Sequence, residues 1–259
     1  MKNKKGQIAI FVIIGIVIVA AIVLFFLVRN NTVEIPFVGQ SGEFDFREEL
    51  RNCIKNNKII DDKIEKIANQ GGKYIPENYF LYNNTKIEYL CKTTEYYQTC
   101  FMQQPLVLQY VENEVKRETL QEVKDCVKST KESAEKRGYE VTTGDVEIGV
   151  DFIPKSIVFN IDTNAVVSKA EERKRYEGFE IRKESELYDL IMLSTSILNY
   201  EARYGDADPV AYMALYPNIR VGKEKQGDGT TLYFVSSRIK KDSFNFATRS
   251  LVFPPGYMR

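Results

Sequence analysis

The sequence predicts an α+β protein: a single N-terminal transmembrane helix, then two or three helices with antiparallel β-hairpins forming sheet. Three observations lead there. An unbroken apolar run occupies Ile8 to Val28. Pairs of β-rich segments flank Asn-Asn and Gly-Asp-Gly turns. Apolar residues at helical spacing are segregated from those pairs and do not alternate with single strands. No repeat at a fixed period and no low-complexity tract is visible.

Residues 1–7 read as a basic cytoplasmic tail and residues 8–28 as a membrane anchor. At roughly 1.5 Å per residue the apolar run spans about the hydrocarbon thickness of a bilayer. It contains no charge, proline or amide. Lys2, Lys4 and Lys5 precede it, whereas only Arg29 follows before Asn30, Asn31, Thr32 and Val33. The positive-inside bias therefore keeps the N-terminus cytoplasmic and places the C-terminal bulk outside, in contact with the lipid bilayer only through the anchor. A cleaved signal peptide shares the basic-then-apolar pattern but ends in a polar, small-residue region. Here Ala20-Ala21 is followed by six large apolar residues, which favours a retained anchor. Within it, Gly15, Val19 and Ala20-Ala21 offer a mild small-residue face for helix contact.

Lys4-Lys5-Gly6-Gln7, set directly against the apolar run, resembles the class III signal of archaeal pilins and flagellins. The resemblance covers about the first 28 residues. It implies cleavage between Gly6 and Gln7 by a prepilin peptidase, leaving the hydrophobic helix on the mature protein. The pilin glutamate five residues after the cut is replaced by Phe11, as archaeal flagellins often replace it. The chain as a whole is similar to archaeal membrane-anchored surface proteins that begin Lys-Lys-Gly-Gln, share a Gly-Gly-x-Tyr-Ile-like segment and have no assigned activity. That likeness, carried here by Gly71-Gly72-Lys73-Tyr74-Ile75, transfers no functional residue.

Residues 29–44, with Pro36, Gly39, Ser41 and Gly42 and no periodicity, read as a stalk. A helix-rich, cysteine-containing subdomain follows over 45–137. Asp45 and Glu48 form a carboxylate capping box. Leu50, Cys53, Ile54, Ile60, Ile64, Ile67 and Ala68 then predict one amphipathic helix ending at Gly71-Gly72, locally weakened by Asn56-Asn57 and Asp61-Asp62. Cys53 falls on its buried face. Tyr79–Tyr82 and Lys86–Leu90 flank Asn83-Asn84 as a hairpin. Pro105 suits the first turn of a long helix from about Leu106 to Arg137, ahead of Gly138.

An α+β subdomain occupies 138–259. Val146–Phe152, Ser156–Asp162, Ala165–Lys169 and Phe179–Lys183 alternate as strands. Glu171-Glu172-Arg173-Lys174-Arg175 reads as a solvated turn. A helix follows from about Ser185 to Arg203, then a short one capped by Asp208 with Pro209 in its first turn. Arg220–Lys225 and Thr231–Ile239 form a hairpin, and Phe244–Phe253 a final strand.

Composition limits function. Histidine is absent, which removes Ser-His-Asp and Cys-His catalysis, the HExxH motif and histidine-ligated zinc. Setting aside the three N-terminal lysines leaves 33 basic residues against 36 acidic ones, so no nucleic-acid partner is expected. The four cysteines lie on the expected outside, where thiols oxidise. Of three pairings, Cys91–Cys100 and Cys53–Cys126 are favoured over free buried thiols. Spacers of 37, 8 and 25 residues match no zinc pattern. Asn30-Asn31-Thr32 and Asn83-Asn84-Thr85 are glycosylation sequons; Asn83, in a turn away from the membrane, is the better acceptor.

Asp206 and Asp208 lack the further ligands of a calcium loop, so Asp208 is read as a helix cap. Gly227-Asp228-Gly229-Thr230 lacks the lysine of a phosphate loop and is read as a turn. Tyr74, Tyr79, Tyr82, Tyr89, Tyr96 and Tyr97 are read first as packing residues and second as a recognition surface. No catalytic residue, metal ligand or cofactor is assigned. The reading is a non-enzymatic, single-pass cell-surface protein with an extracellular domain, self-associating through its helix if pilin-like or meeting another surface protein. The alternative is an extracytoplasmic ligand- or glycan-binding domain, with a carboxylate-dependent enzyme ranked last.

Overall fold

A computed structural model describes residues 44–252. The anchor 8–28, the Gly6–Gln7 edge, Asn30 and all of the stalk but Phe44 lie outside the described residues. Among those described, no helix is long and apolar enough to cross a membrane.

The helix expected to end at Gly71-Gly72 is two helices, α1 (Phe46–Lys55) and α2 (Lys58–Asn69). Asn56 ends the first, and the Asn57 side chain accepts from the amides of Ile59 and Ile60 to start the second. Asparagine oxygen competes with the helical backbone for those donors, so the pair breaks the helix it was expected only to weaken. The capping box is half built. Asp45 accepts from the Arg47 amide, but Glu48 turns outward to Arg51. Phe44, expected in the stalk, is 7% exposed and packs on Phe46 and Tyr139.

Strands β1 (Tyr79–Tyr82) and β2 (Thr85–Lys92) form the expected hairpin. Asn83 and Asn84 both take positive φ, as a two-residue type I′ turn requires. The two-residue β3 (Phe101–Met102) pairs with the end of β2. The 30-residue α3 (Val107–Lys136) buries Val111, Val115, Val123, Val127 and Ala134 along one stripe.

After α3 come β4 (Glu140–Thr142), β5 (Glu147–Ile153), β6 (Ser156–Asp162), β7 (Ala165–Lys169), β8 (Glu172–Tyr176) and β9 (Phe179–Glu184). They make two three-stranded sheets, β4-β7-β8 and β5-β6-β9. Strand β8 corrects the expected solvated turn. Its charged residues are exposed on an edge, and only Tyr176 is buried, so no alternation marks it. Charge suits an unpaired edge, because it discourages strand addition.

Helices α4 (Leu187–Tyr204) and α5 (Pro209–Leu215) precede β10 (Ile219–Lys225), β11 (Thr230–Ser237) and β12 (Ser243–Arg249). The main sheet runs β1-β2-β12-β11-β10, antiparallel except for β12 beside β2. Residues 45–137 and 138–259 thus share one sheet. Helix α4 packs against β12, β11 and β2 as well as β5 and β6, which explains why Leu190, Ile191, Leu193, Ile197 and Leu198 are all buried. An apolar face broader than a single stripe suits a helix covered from two sides.

Strand β2 changes partners along its length. Thr85–Glu88 pair with β1, the stretch from Tyr89 pairs with β12, and Cys91 and Lys92 also pair with β3. The first half therefore carries β1 as an arm across the outer face of the main sheet. Tyr82 sits 5.5 Å from the Phe234 ring of β11, and its hydroxyl donates to Glu224 of β10 at 2.7 Å. Ile87, Tyr89, Leu232 and Ala247 form a second, small core beneath the arm.

Both disulfides join as expected. Cys53–Cys126 ties α1 to α3, and Cys91–Cys100 closes the loop after β2. That loop holds the chain beyond β12: the Thr93 and Tyr97 amides donate to the carbonyls of Arg249 and Leu251.

Candidate functional site

A cleft of about 630 Å³ lies between the first turns of α4, the α5–β10 connection and the end of β11. Its position follows from local chemistry. Ser185 accepts from the Leu187 amide and donates to Asp242, which also accepts from the Glu186 amide. The α4 N-terminus is thereby fixed through groups outside the helix. Across the cleft, Asp208 caps α5 by accepting from Val210, and Pro217 follows the C-terminus. Behind α4, the Pro154–Lys155 turn has Lys155 at φ 67°, a left-handed position that ordinarily favours glycine.

The floor is apolar: Leu190, Leu193 and Ile219 are all buried. Around it Met192 (45%), Tyr216 (50%), Ile239 (63%) and Leu215 (75%) leave much of their apolar surface in solvent. Glu186, Asp189 and Lys155 are the charged residues of the lining and give it a net negative charge; Tyr188, Ser196, Asn218 and Ser237 also line it. The volume and the mixture of an apolar floor with few polar groups match those of small-ligand sites.

A buried polar cluster lies at the other end of α4. Glu201 is 1% exposed and accepts from the Tyr233 hydroxyl and the Ala207 amide. Lys223 donates to Asp206 and to the Ala207 carbonyl. Burial pushes the Glu201 carboxyl above the usual range, while hydrogen bonds from Tyr233 and Ala207 oppose it. Burial likewise raises the Tyr233 phenol. With its carboxyl closed off from solvent, Glu201 anchors the 205–208 turn to β10 and β11, a structural task.

The sequence-selected residues scatter. Asp206 pairs with Lys223 and Lys225, and Asp208 caps α5, so the two do not converge. Asp228 and Thr230 close the β10–β11 turn as expected. The tyrosines divide: Tyr82 and Tyr89 pack beneath the arm, Tyr74 lies under Lys66, and Tyr96 and Tyr97 are exposed on the disulfide-closed loop. Asn83 is exposed at the arm's tip. The cleft residues Tyr188, Asp189, Met192, Leu215, Tyr216 and Ile239 carried no sequence motif. Their one signal was Met192, an apolar residue off the buried stripe of α4. Among the described residues no group of acidic or cysteine side chains is arranged to hold a metal ion.

Compared with protein-family models, curated proteins and solved structures, the chain has no match in any of the three.

Proposed function

We propose that this chain is a non-enzymatic, single-pass membrane-anchored surface protein, with Ile8–Val28 as the anchor and residues 44–252 as an extracytoplasmic domain. The observation that carries this reading is the closure of both disulfides, which suits an oxidising compartment outside the cytoplasm. The lysine asymmetry before the apolar run supports the same orientation. Mass spectrometry of protein taken from membranes tests it. The expected result is two disulfide-linked peptide pairs, with the apolar run retained and a mature chain that starts at Met1 or, on the pilin-like route, at Gln7. Four free thiols, or a chain beginning after Val28, would refute it.

The cleft favours a second reading, capture of an amphipathic cation. Its floor and rim suit an apolar body, and Glu186 and Asp189 against Lys155 suit a positive head group. Titration calorimetry with dodecyltrimethylammonium and dodecyl sulfate, both below micelle formation, separates charge from greasiness. Saturable binding of the cation alone, weakened by Asp189→Asn, is expected. Equal binding of both amphiphiles would dispose of this reading.

A further inference from the structure

We propose that Asn83 carries an N-linked glycan. The inference rests on the extracytoplasmic reading above, but its evidence is local. Asn83-Asn84-Thr85 is a complete acceptor triplet. The fold places it at the tip of the two-residue turn between β1 and β2, where Tyr82 pairs with Thr85. All three residues are exposed. Both asparagines hold the turn at positive φ, 45° and 64°. The Asn83 side chain bonds the neighbouring Tyr82 hydroxyl, which itself donates to Glu224. With Asn83 exposed at the turn, a bulky substituent on its amide has solvent to occupy.

A glycan here has a physical task as well as a place. Among the described residues strand β1 is an edge: it pairs with β2 on one side only, and Tyr79 and Leu81 expose 38% and 58% of their surface. An apolar, unpaired edge invites strand addition from another chain. Strand β8 meets the same hazard with charge, whereas β1 carries no charged residue at all. A hydrated sugar tree at the tip would screen it.

The chemistry is a glycosyl transfer from a lipid-linked oligosaccharide phosphate. The Asn83 amide nitrogen forms a bond to the anomeric carbon as the carbon–oxygen bond to phosphate breaks. The bonding pair leaves on the lipid phosphate, and the amide proton passes to the transferase's base.

The test uses full-length protein isolated from the membranes of its own host. Glycopeptide mass spectrometry should find whole-sugar mass increments on the peptide containing Asn83. The increments should vanish in Asn83→Asp, which keeps the left-handed turn, and in Thr85→Ala, and persist in Thr85→Ser. Protease accessibility in intact cells and a thiol count are measured alongside. An unmodified Asn83 on a domain that is accessible, with both disulfides closed, overturns the glycan alone. A protected domain with free thiols overturns the surface reading and the glycan together.

Discussion

The main sheet has two unequal sides. Its inner face, with Tyr233, Val235, Phe244 and Phe246, is sealed against α4 within one continuous core that extends to α3 and the β5-β6-β9 sheet. Its outer face carries the β1–β2 arm, over the four buried residues Ile87, Tyr89, Leu232 and Ala247, and Asn69 of α2 accepts from Ser243 and Asn245 of β12. Inside, a disulfide and several elements must separate before anything opens. Outside, the arm is held by an aromatic contact, an exposed hydrogen bond, the Tyr89–Thr230 pair and the bond from the Glu88 amide to the Gln70 carbonyl at the end of α2. Cooperativity follows enclosure, so the arm should open locally at a lower free energy than the domain unfolds.

The largest effect expected is on the inner side. Cys53→Ala with Cys126→Ala frees a 73-residue separation and should cost about 4 kcal/mol by chain entropy. The urea midpoint should fall, and α1 and α3 amides should exchange faster. Arm amides should not change; a parallel loss there would mean that arm and core are a single unit. Next, Gly205→Ala should cost about 2–3 kcal/mol. Gly205 ends α4 at φ 86°, and an added Cβ would lie 2.3 Å from Val252 Cγ2. Equilibrium urea unfolding measures that loss.

On the outer side, Phe234→Ala should cost about 1–2 kcal/mol, less than a fully enclosed phenylalanine. Hydrogen exchange should quicken first in β1 and the start of β2. Equal acceleration in β12 would break the comparison.

The inner side also carries a proton-linked term. Because burial raises the Glu201 carboxyl, the folded state favours its protonated form. Its contribution to stability is complete below the ordinary carboxylate range and is lost as pH rises through the raised pKa. The slope reaches at most about 1.4 kcal/mol per pH unit. Glu201→Gln should flatten that decline in urea midpoints measured from about pH 4 to 8. Glu88 and Glu112, also raised by burial, act with the same sign and remain in the variant. The smallest effect belongs to Tyr82→Phe, which removes the exposed bond to Glu224. It should loosen only the arm, leaving the global midpoint in place.

Legibility in the sequence follows the same division. Elements whose signal is local were readable: the Asn83-Asn84 turn, the Asp208-Pro209 start of α5 and the apolar stripe of α3. Cys53–Cys126 was readable because only three pairings exist. Strand β8 was hidden, since an edge exposed on both faces has no reason to alternate. The cleft was hidden for a related reason. Its residues come from α4, the α5–β10 connection and the end of β11, and nothing along the chain announces that these meet. The arm's second core was equally invisible, because its register depends on β2 changing partner midway.

That change of partner has a consequence for the newborn chain. Strand β2 lies between a neighbour made just before it, β1, and one made about 150 residues later, β12. Until β12 emerges, the Tyr89–Lys92 stretch stands with an open side, and nothing made earlier can close it. The Cys91–Cys100 loop, nine residues in separation, can form during that wait and keep β3 beside β2. Strand β12 would then arrive at a berth already half assembled.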